Sequence, residues 1–295
     1  MRNDKLQSYL NLHLIVFIWG FTAVLGALIS IKASVLVWYR MLFAGIFIFL
    51  FIIFKKISFK IPLKEFFKLI FVGLLMAVHW VFFFKAIHIS NVSITLLVFS
   101  LGAFFASVLE PLFYRRKMLW HEVFFGVLII VGLALIVKVE IYYFEGIAYA
   151  LFSVILGVLF TLINGKLIAN HESSVITFYE FLSGVVFISL YFLFQNQFTT
   201  EFFILSSKDW ILILILASVC TAYAFTASVK VMQKLSPYTV MLTTSMEPVY
   251  GIFLAYFCIG GKEKMSVEFY IGALIIVVTV IFNGIMKHYF TDIDP

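Results

Sequence analysis

Long apolar runs, separated by short polar breaks, occupy nearly the whole chain of 295 residues. Each run is close to the length of about 20 residues that an α-helix needs to cross the hydrocarbon core of a bilayer. Charges and clusters of Gly, Pro, Asn and Ser divide the chain into ten predicted membrane helices, over residues 10–31, 34–54, 66–87, 91–113, 121–138, 145–165, 174–194, 209–230, 237–259 and 268–287. Because backbone groups in lipid must be satisfied within the fold, the pattern predicts an all-α integral membrane protein.

The breaks between these helices leave no room for a domain outside the membrane, since the longest runs only from Gln195 to Lys208. The first apolar run is uncharged from Leu6 to Ile31, which is too long for the core of a signal peptide. We therefore expect a single transmembrane domain that begins with this helix.

The composition excludes a soluble globular protein. Hydrophobic residues make up 64% of the chain and charged residues 12%, with a mean hydropathy of +1.12. The net charge of +6 does not indicate a nucleic-acid partner, because the sequence has neither a clustered basic face nor a binding motif. Cys220 and Cys258 lie in apolar runs without the spacing of a disulfide framework or a metal site, so we expect no metal and no cofactor.

The basic residues are distributed unevenly between the two sets of loops. More than twice as many lie at the N-terminus, the even-numbered loops and the C-terminal tail (Arg2, Lys5, Lys55, Lys56, Lys60, Lys64, Lys68, Arg115, Arg116, Lys117, Lys166, Lys230, Lys234 and Lys287) as in the opposite loops (Lys32, Lys85, Lys138, Lys208, Lys262 and Lys264). Since Lys and Arg favour the cytoplasmic side, we expect a multi-pass protein of the cell membrane with both termini in the cytoplasm.

The two halves of the chain resemble each other. A shift of 146 positions aligns residues 122–131 with residues 268–277, with six identities in ten positions. The same shift pairs Ser90 with Ser236 and Leu96 with Leu242. Repeats of five helices, at residues 1–140 and 141–295, must enter the membrane from opposite sides, as in secondary transporters that bind substrate at the midplane between inverted halves.

The order and spacing of several short motifs on these ten helices resemble the EamA-type transporters of the drug/metabolite transporter superfamily. The motifs are Trp19-Gly20, Arg40, Ser90-Asn91-Val92-Ser93, Glu247-Pro248-Val249, and Glu263 ahead of Gly272. The resemblance covers nearly the whole chain. It implies a basket-like fold of ten helices around a central cavity, which moves small metabolites or toxic compounds, often outward.

The chain departs from this family pattern in the fourth predicted helix. Gly102 stands at the position that matches Pro248, and the chain carries its own Glu110-Pro111 pair two turns later. A break in the fourth helix that depends on proline is therefore expected to be relocated or absent.

Glu247 is the deepest predicted acidic residue, about ten residues into the ninth helix. Pro248 removes a backbone N–H there and predicts a kink or unwound segment beside the carboxylate. Ionisable groups inside a bilayer are expensive and mark functional sites by default. Glu247 could exchange a proton against substrate or pair with a cationic group; the alternative is a hydrogen-bonded packing residue.

Three other ionisable residues lie away from the predicted helix ends. Arg40 could hold a carboxylate or phosphate in the cavity, although the sequence favours a side chain that snorkels outward. Glu180 could pair with Arg40 or line the inner mouth. His79 could relay protons or make an interhelical hydrogen bond. Glu247, Glu180 and His79 are thus the candidates for proton coupling.

Glu110 is more simply explained as an interfacial ion pair with Arg115 or Arg116.

The resemblance to the family also suggests which aromatic residues line the cavity, because their helices correspond to cavity-lining ones. These residues are Trp19, Trp38, Tyr39, Trp80, Tyr179, Tyr223 and Tyr250, and Asn164 could add hydrogen bonds. Rings with a polar atom suit planar or cationic substrates, whereas interfacial anchoring is the alternative role.

Two classes of function compete at this stage. The first is a secondary transporter, with small-molecule export by alternating access and possible proton coupling. The second is an intramembrane enzyme that modifies lipids or sugars, which would need a cluster of catalytic residues at one interface. The sequence contains no metal-binding His motif and no nucleophile elbow. We expect a transporter and no enzymatic activity; the substrate and the oligomeric state are left open.

Overall fold

The computed structural model describes residues 2–139, 141–259 and 266–291, and these residues form helices joined by short turns. The α-helices are α1 (Arg2–Leu28), α2 (Ala33–Phe54), α3 (Leu63–Ile89), α4 (Val92–Phe99), α5 (Gly102–Tyr114), α6 (Trp120–Val139), α7 (Phe144–Leu167), α8 (Ser173–Phe194), α9 (Thr200–Phe203), α10 (Ser207–Ala217), α11 (Ala224–Val231), α12 (Pro237–Thr244), α13 (Glu247–Cys258) and α14 (Val267–Thr291). A 3₁₀ turn, Ile141–Tyr143, precedes α7, and a π-helical segment, Ser218–Tyr223, joins α10 to α11.

Within the described ranges, seven helical stretches are long and apolar enough to cross a membrane: Lys5–Leu28, Ala33–Phe54, Leu63–Ile89, Val92–Tyr114, Ile141–Leu167, Ser173–Phe194 and Ser207–Val231. Trp120–Ile136 and Val267–Asn283 are shorter apolar helices. The predicted all-α membrane class is confirmed. Glu263, Lys262 and Lys264 lie outside the described residues.

The first helix differs from its prediction at both ends. It begins at Arg2 instead of residue 10 and ends at Leu28 instead of residue 31. The early end has a tertiary cause, because Ser30 donates from its backbone N–H (2.9 Å) and its hydroxyl (2.7 Å) to the carboxylate of Asp209. Asp209 also accepts from Ser206, the N-cap of α10, so one carboxylate joins the end of α1 to the start of α10.

The elements recur in the same order in the two halves. Helices α2 and α8 both have 22 residues. Both end in a Schellman cap with a left-handed residue, Lys56 (φ 54°) or Asn196 (φ 50°), which lets a following N–H bond to a carbonyl five residues back. Helices α4 and α12 both have eight residues, and each is followed by a two-residue break and a longer helix.

The break after α4 corrects the expectation drawn from Gly102. The first half is interrupted at Ser100 and Leu101, and the second at Ser245 and Met246, so the break occurs at the same place in both halves without a proline in the first. Hydroxyl groups explain it, because the Ser100 hydroxyl donates to Leu97 and the Ser100 carbonyl accepts from the Ser245 hydroxyl at 3.0 Å. Gly102 and Glu247 are each the first helical residue after the break, so they occupy equivalent positions in the two halves. Pro111 lies inside α5 without ending it.

The broken helices lie at the centre of the bundle. All eight residues of α4 and all eight of α12 are buried. Around them, α3 packs along α7 and α8, α2 along α8, and α1 along α13, while α6 and α14 form a pair. The core of the fold is therefore the region where the breaks of the two halves meet.

A matched pair of glycine substitutions tests the packing of this bundle. A Cβ at Gly73 of α3 would overlap the backbone carbonyl oxygen of Glu180, whereas a Cβ at Gly45 of α2 would lie 3.8 Å from Phe181. We expect Gly73→Ala to destabilise the detergent-solubilised protein by about 1–3 kcal/mol, since overpacking forces the backbone to move. Gly45→Ala should have an unchanged or higher melting temperature, because Ala is the better helix former. Equal melting temperatures for the two variants would contradict the close α3–α8 approach.

Candidate functional site

A cavity of about 70 Å³ lies at the centre of the bundle and is lined by residues of both halves. Its walls include six aromatic residues, Trp19, Trp80, Phe83, Phe99, Phe160 and Phe225. Its charged residues are Arg40, from the first half, and Glu247, from the second. A concave, mostly apolar site with a few converging polar groups is typical of small-molecule binding sites.

Arg40 is held inside the protein by an aromatic ring and a hydroxyl. The guanidinium carbon lies 4.0 Å from the centre of the Trp80 ring, and Nε donates to Thr221 Oγ1 at 2.6 Å. The residue is 1% exposed, and the described residues offer its Nη1 no hydrogen-bond partner. The expectation of a snorkelling side chain is therefore wrong, since the guanidinium is buried, lines the cavity and has one nitrogen without a partner among the described residues.

The local structure around Thr221 explains this contact. Thr221 belongs to the π-helical segment, and its hydroxyl donates to the carbonyl of Leu216, five residues earlier, at 2.6 Å. The hydroxyl oxygen thereby remains free to accept from Arg40. Single π-helical turns within α-helices often occur at functional sites.

Glu247 begins α13 directly after the break, and Pro248 occupies the first turn, where a missing N–H costs nothing. The residue is 4% exposed and lines the same cavity as Arg40. In the described part of the chain the two side chains line the same cavity and form no direct ion pair. A substrate could therefore meet both charges.

His79 makes an interhelical hydrogen bond, one of the two roles that the sequence left open, and it also lines the cavity. Its Nδ1 lies 2.7 Å from the carbonyl oxygen of Ser153, so α3 and α7 share an interhelical hydrogen bond, and the ring also lines the cavity. Since a carbonyl only accepts, Nδ1 carries the hydrogen in this arrangement and Nε2 is left as an acceptor.

Glu180 lies behind the cavity wall and is not the partner of Arg40. Its Oε2 is 3.4 Å from Nδ2 of Asn164, which does line the cavity. Both side chains are fully buried, and neither Asn164 Oδ1 nor Glu180 Oε1 has a partner among the described residues. Arg40 and Glu180 are each the eighth residue of their helices, α2 and α8, so the two repeats carry opposite charges at equivalent positions.

Five predicted aromatic residues lie elsewhere. Trp38 donates to Ser189 (2.8 Å), Tyr39 to the carbonyl of Phe202 (3.0 Å) and Tyr179 to the carbonyl of Phe59 (3.0 Å). Tyr223 is 52% exposed on the outer surface, and the Tyr250 ring packs edge-on against Phe17. The prediction of cavity positions for these residues is wrong, because each side chain projects from its helix away from the cavity.

The sequence analysis missed several hydroxyl residues of the cavity. Thr22, Thr161, Ser228 and Thr244 line it, and each hydroxyl donates to a carbonyl three or four residues earlier in its own helix. Their hydrogens are used, so the oxygens are left as acceptors. The cavity thus offers acceptors from several helices and a charged donor, Arg40. Hydroxyls in apolar helices are too common for the sequence to single out these four.

Glu110 lies outside the cavity and forms the predicted ion pair. Arg116 bridges it (3.2 Å) and Glu122 (3.0 Å). Glu110 also accepts the backbone N–H of Tyr238 in the first turn of α12. The Glu110 carboxylate therefore ties the end of α5 to the start of α12, and Arg116 links it to the start of α6.

Two arginine substitutions distinguish a functional charge from a structural one. Arg40→Met removes a buried cation with an unsatisfied donor, so we expect a melting temperature equal to or above that of the wild type. Arg116→Met leaves Glu110 and Glu122 without their shared cation and should lower the melting temperature by several degrees, as expected for a loss of about 2 kcal/mol or more. The measurement is thermal unfolding in detergent. A large destabilisation by Arg40→Met would show that this residue mainly holds the fold together.

Comparisons with known proteins identify the fold and the family of this chain. A solved crystal structure of a protein with 13% sequence identity superposes on 96% of this chain and 98% of its own, with a TM-score of 0.72, which shows a shared fold. No curated protein sequence matches the chain. The EamA-like transporter family matches twice, over residues 7–138 and 144–285. The two matches together span most of the chain, which therefore belongs to the EamA-like transporter family.

Proposed function

We propose that this protein is a secondary transporter that moves a small metabolite by alternating access around the central cavity. The observation that carries the proposal is the placement of Arg40 and Glu247, one from each repeat, in one aromatic cavity without a direct ion pair. A substrate that contacts both residues links the two halves, so its binding can be coupled to their relative movement.

The proposed topology has ten membrane spans with both termini in the cytoplasm. In it, α4 with α5, α10 with α11, and α12 with α13 each form one interrupted span, while α6 and α14 complete the two repeats. Interruptions in a membrane helix are tolerated where the backbone is buried in protein, which is the environment of both breaks. The excess of Lys and Arg on one set of loops supports the orientation in the cell membrane.

The shape of the cavity supports export. Its lining residues include Asn164, less than one turn from the end of α7, and Met232, just beyond the end of α11. Both ends are cytoplasmic in the proposed topology. At the opposite side the lining stops at Thr22 and Phe83, about two turns before the ends of α1 and α3. A site that approaches the cytoplasm in this state would load substrate there and release it outside.

The chemistry of the cavity favours a small zwitterionic substrate. Arg40 suits an anionic group such as a carboxylate, which it can bind through two parallel donors. Glu247 and the hydroxyl oxygens suit a cationic group with several hydrogens, and the rings of Trp19, Trp80 and Phe83 suit an apolar part between the two charges. Pockets that bind drug-sized ligands measure about 300–1,000 Å³, so a cavity of about 70 Å³ favours a small metabolite.

Glu247 is the proposed site of proton coupling, because it is the acidic residue that touches the cavity directly. A proton on its carboxyl group would weaken the attraction for a cationic group of the substrate, so proton and substrate would compete for the residue. Glu180 lies behind Asn164 and His79 is bound to Ser153, so we assign them supporting positions beside this exchange.

The topology can be checked with two cysteine substitutions in a Cys258→Ser background, in which the remaining native thiol, Cys220, is buried. Lys60→Cys, in the segment between α2 and α3, should react with a membrane-impermeant maleimide only after the cells are permeabilised. Gln195→Cys, directly after α8, should react in intact cells. Both positions are exposed, so a difference in labelling cannot come from burial of one of the two side chains. The reverse labelling pattern would contradict cytoplasmic termini.

Proton coupling predicts a specific effect of Glu247→Gln. The substrate is first identified as the metabolite that accumulates in the medium when the wild type, but not Arg40→Gln, is overproduced. Uptake of its labelled form into proteoliposomes should rise severalfold with an imposed pH gradient for the wild type and for Glu201→Gln, an exposed control. Glu247→Gln should lose this stimulation. An uptake rate that does not change with the pH gradient in either the wild type or Glu247→Gln would exclude proton coupling.

A further inference from the structure

A second concavity, the lateral groove, lies on the outside of the bundle and has a volume of about 670 Å³. Helix α3 packs along both α7 and α8, and the groove is lined from all three of these helices and from the start of α2. It is separate from the central cavity, because α3 directs His79, Trp80 and Phe83 into the cavity and a different set of residues into the groove.

One end of the groove is cationic. Lys32, Lys85 and His88 line it there, where α2 begins and α3 ends, and Tyr149 and Tyr191 add hydroxyl groups. Lys85 is held in place, since its ammonium donates to the Tyr149 hydroxyl (2.5 Å) and lies 4.0 Å from the centre of the same ring. Among the described residues that line the groove there is no carboxylate. The cationic end therefore complements an anion.

The rest of the groove is apolar. Leu74, Ala77, Val78, Val81 and Phe82 form one face of α3, and Phe187 and Ile188 of α8 form a side wall. From Leu74 to His88 the helix rises about 20 Å, which is enough to cross one leaflet of a bilayer about 30 Å thick. This length of apolar surface, ending in cations, matches one acyl chain joined to an anionic headgroup.

We propose that the lateral groove binds one anionic phospholipid, with its phosphate at Lys32, Lys85 and His88 and an acyl chain along α3. Tyr149 on α7 contacts Lys85, and Tyr191 on α8 also lines the groove. A bound lipid therefore fills the space between two helices of the second repeat and α3 of the first. Basic pockets between membrane helices bind anionic headgroups on the cytoplasmic side of membranes, and we apply the same chemistry to this groove, whose cationic end lies on the outer side in the proposed topology.

Lipid binding is measured by native mass spectrometry of the purified full-length protein, titrated in detergent with phosphatidylglycerol or phosphatidylcholine of the same acyl chains. We expect the first phosphatidylglycerol to bind about 30-fold more tightly than phosphatidylcholine, because each of two lysines near a headgroup contributes about fivefold. Equal affinity for the two lipids would overturn the proposal.

Variants locate the site. Lys32→Gln combined with Lys85→Gln should reduce the preference for phosphatidylglycerol to about twofold or less. The matched control combines Lys230→Gln with Lys234→Gln. These two exposed lysines lie outside the groove, so the control should keep the preference for phosphatidylglycerol. Val78→Trp fills the apolar part and should lower the affinity for phosphatidylglycerol at least tenfold while the lysines remain. An unchanged preference in the first double variant, or unchanged affinity in Val78→Trp, would contradict the assignment.

Soluble glycerol phosphate separates a lipid site from a simple anion site. It carries the phosphate without the acyl chains, so millimolar concentrations should leave phosphatidylglycerol bound. Displacement of the lipid at concentrations near its own would show that the cationic end binds soluble anions and that the apolar groove contributes nothing. These measurements need no transport substrate, so their outcome is independent of the proposed function.

Discussion

A bilayer provides no water to polar groups, and the structure depends on how this chain satisfies them internally. Helices satisfy most of the backbone. The exceptions are the two central breaks, where the hydroxyls of Ser100 and Ser245 bind carbonyls and one of these bonds joins the breaks to each other. Among the described residues, five buried side-chain atoms lack a partner, and three of them belong to Arg40, Asn164 and Glu180, at or directly behind the cavity. Three of these five unpartnered groups thus lie at the central cavity or directly behind its wall.

The two repeats share a backbone and differ in their chemistry. Equivalent positions hold Arg40 and Glu180 on α2 and α8, and Gly102 and Glu247 after the two breaks. A Cβ at Gly102 would press against Met241, so the first half is closely packed where the second presents a carboxylate to the cavity. The helices of the two halves are related by symmetry, which is compatible with two related conformations of the bundle. The side chains are not symmetric, so the central cavity has one basic residue, Arg40, and one acidic residue, Glu247.

Several features of the fold could be predicted from the sequence because they depend on local composition. Apolar runs predict the helices, and the repeated segments around Gly126 and Gly272 predict the two halves. The break after α4 could not be predicted in this way, because it depends on hydrogen bonds of serines rather than on a proline. The prediction for Arg40 failed for a similar reason: its preference for water is overcome by the ring of Trp80 and by Thr221, a residue 181 positions away in the chain.

The sequence by itself determined that the protein lies in a bilayer and that it is helical. It also showed how few charged residues lie inside the helices, which makes Arg40 and Glu247 notable. These features can be read from the sequence because the cost of a polar group in lipid acts on every residue independently of its neighbours. Only the tertiary structure decided which of the candidate residues share a cavity. A side chain on a helix points in one direction, and whether that direction leads to the cavity, to another helix or to lipid depends on the rotation of each helix against its neighbours. Trp19 and Trp80 therefore line the cavity, whereas Trp38 and Tyr223, equally plausible in the sequence, do not.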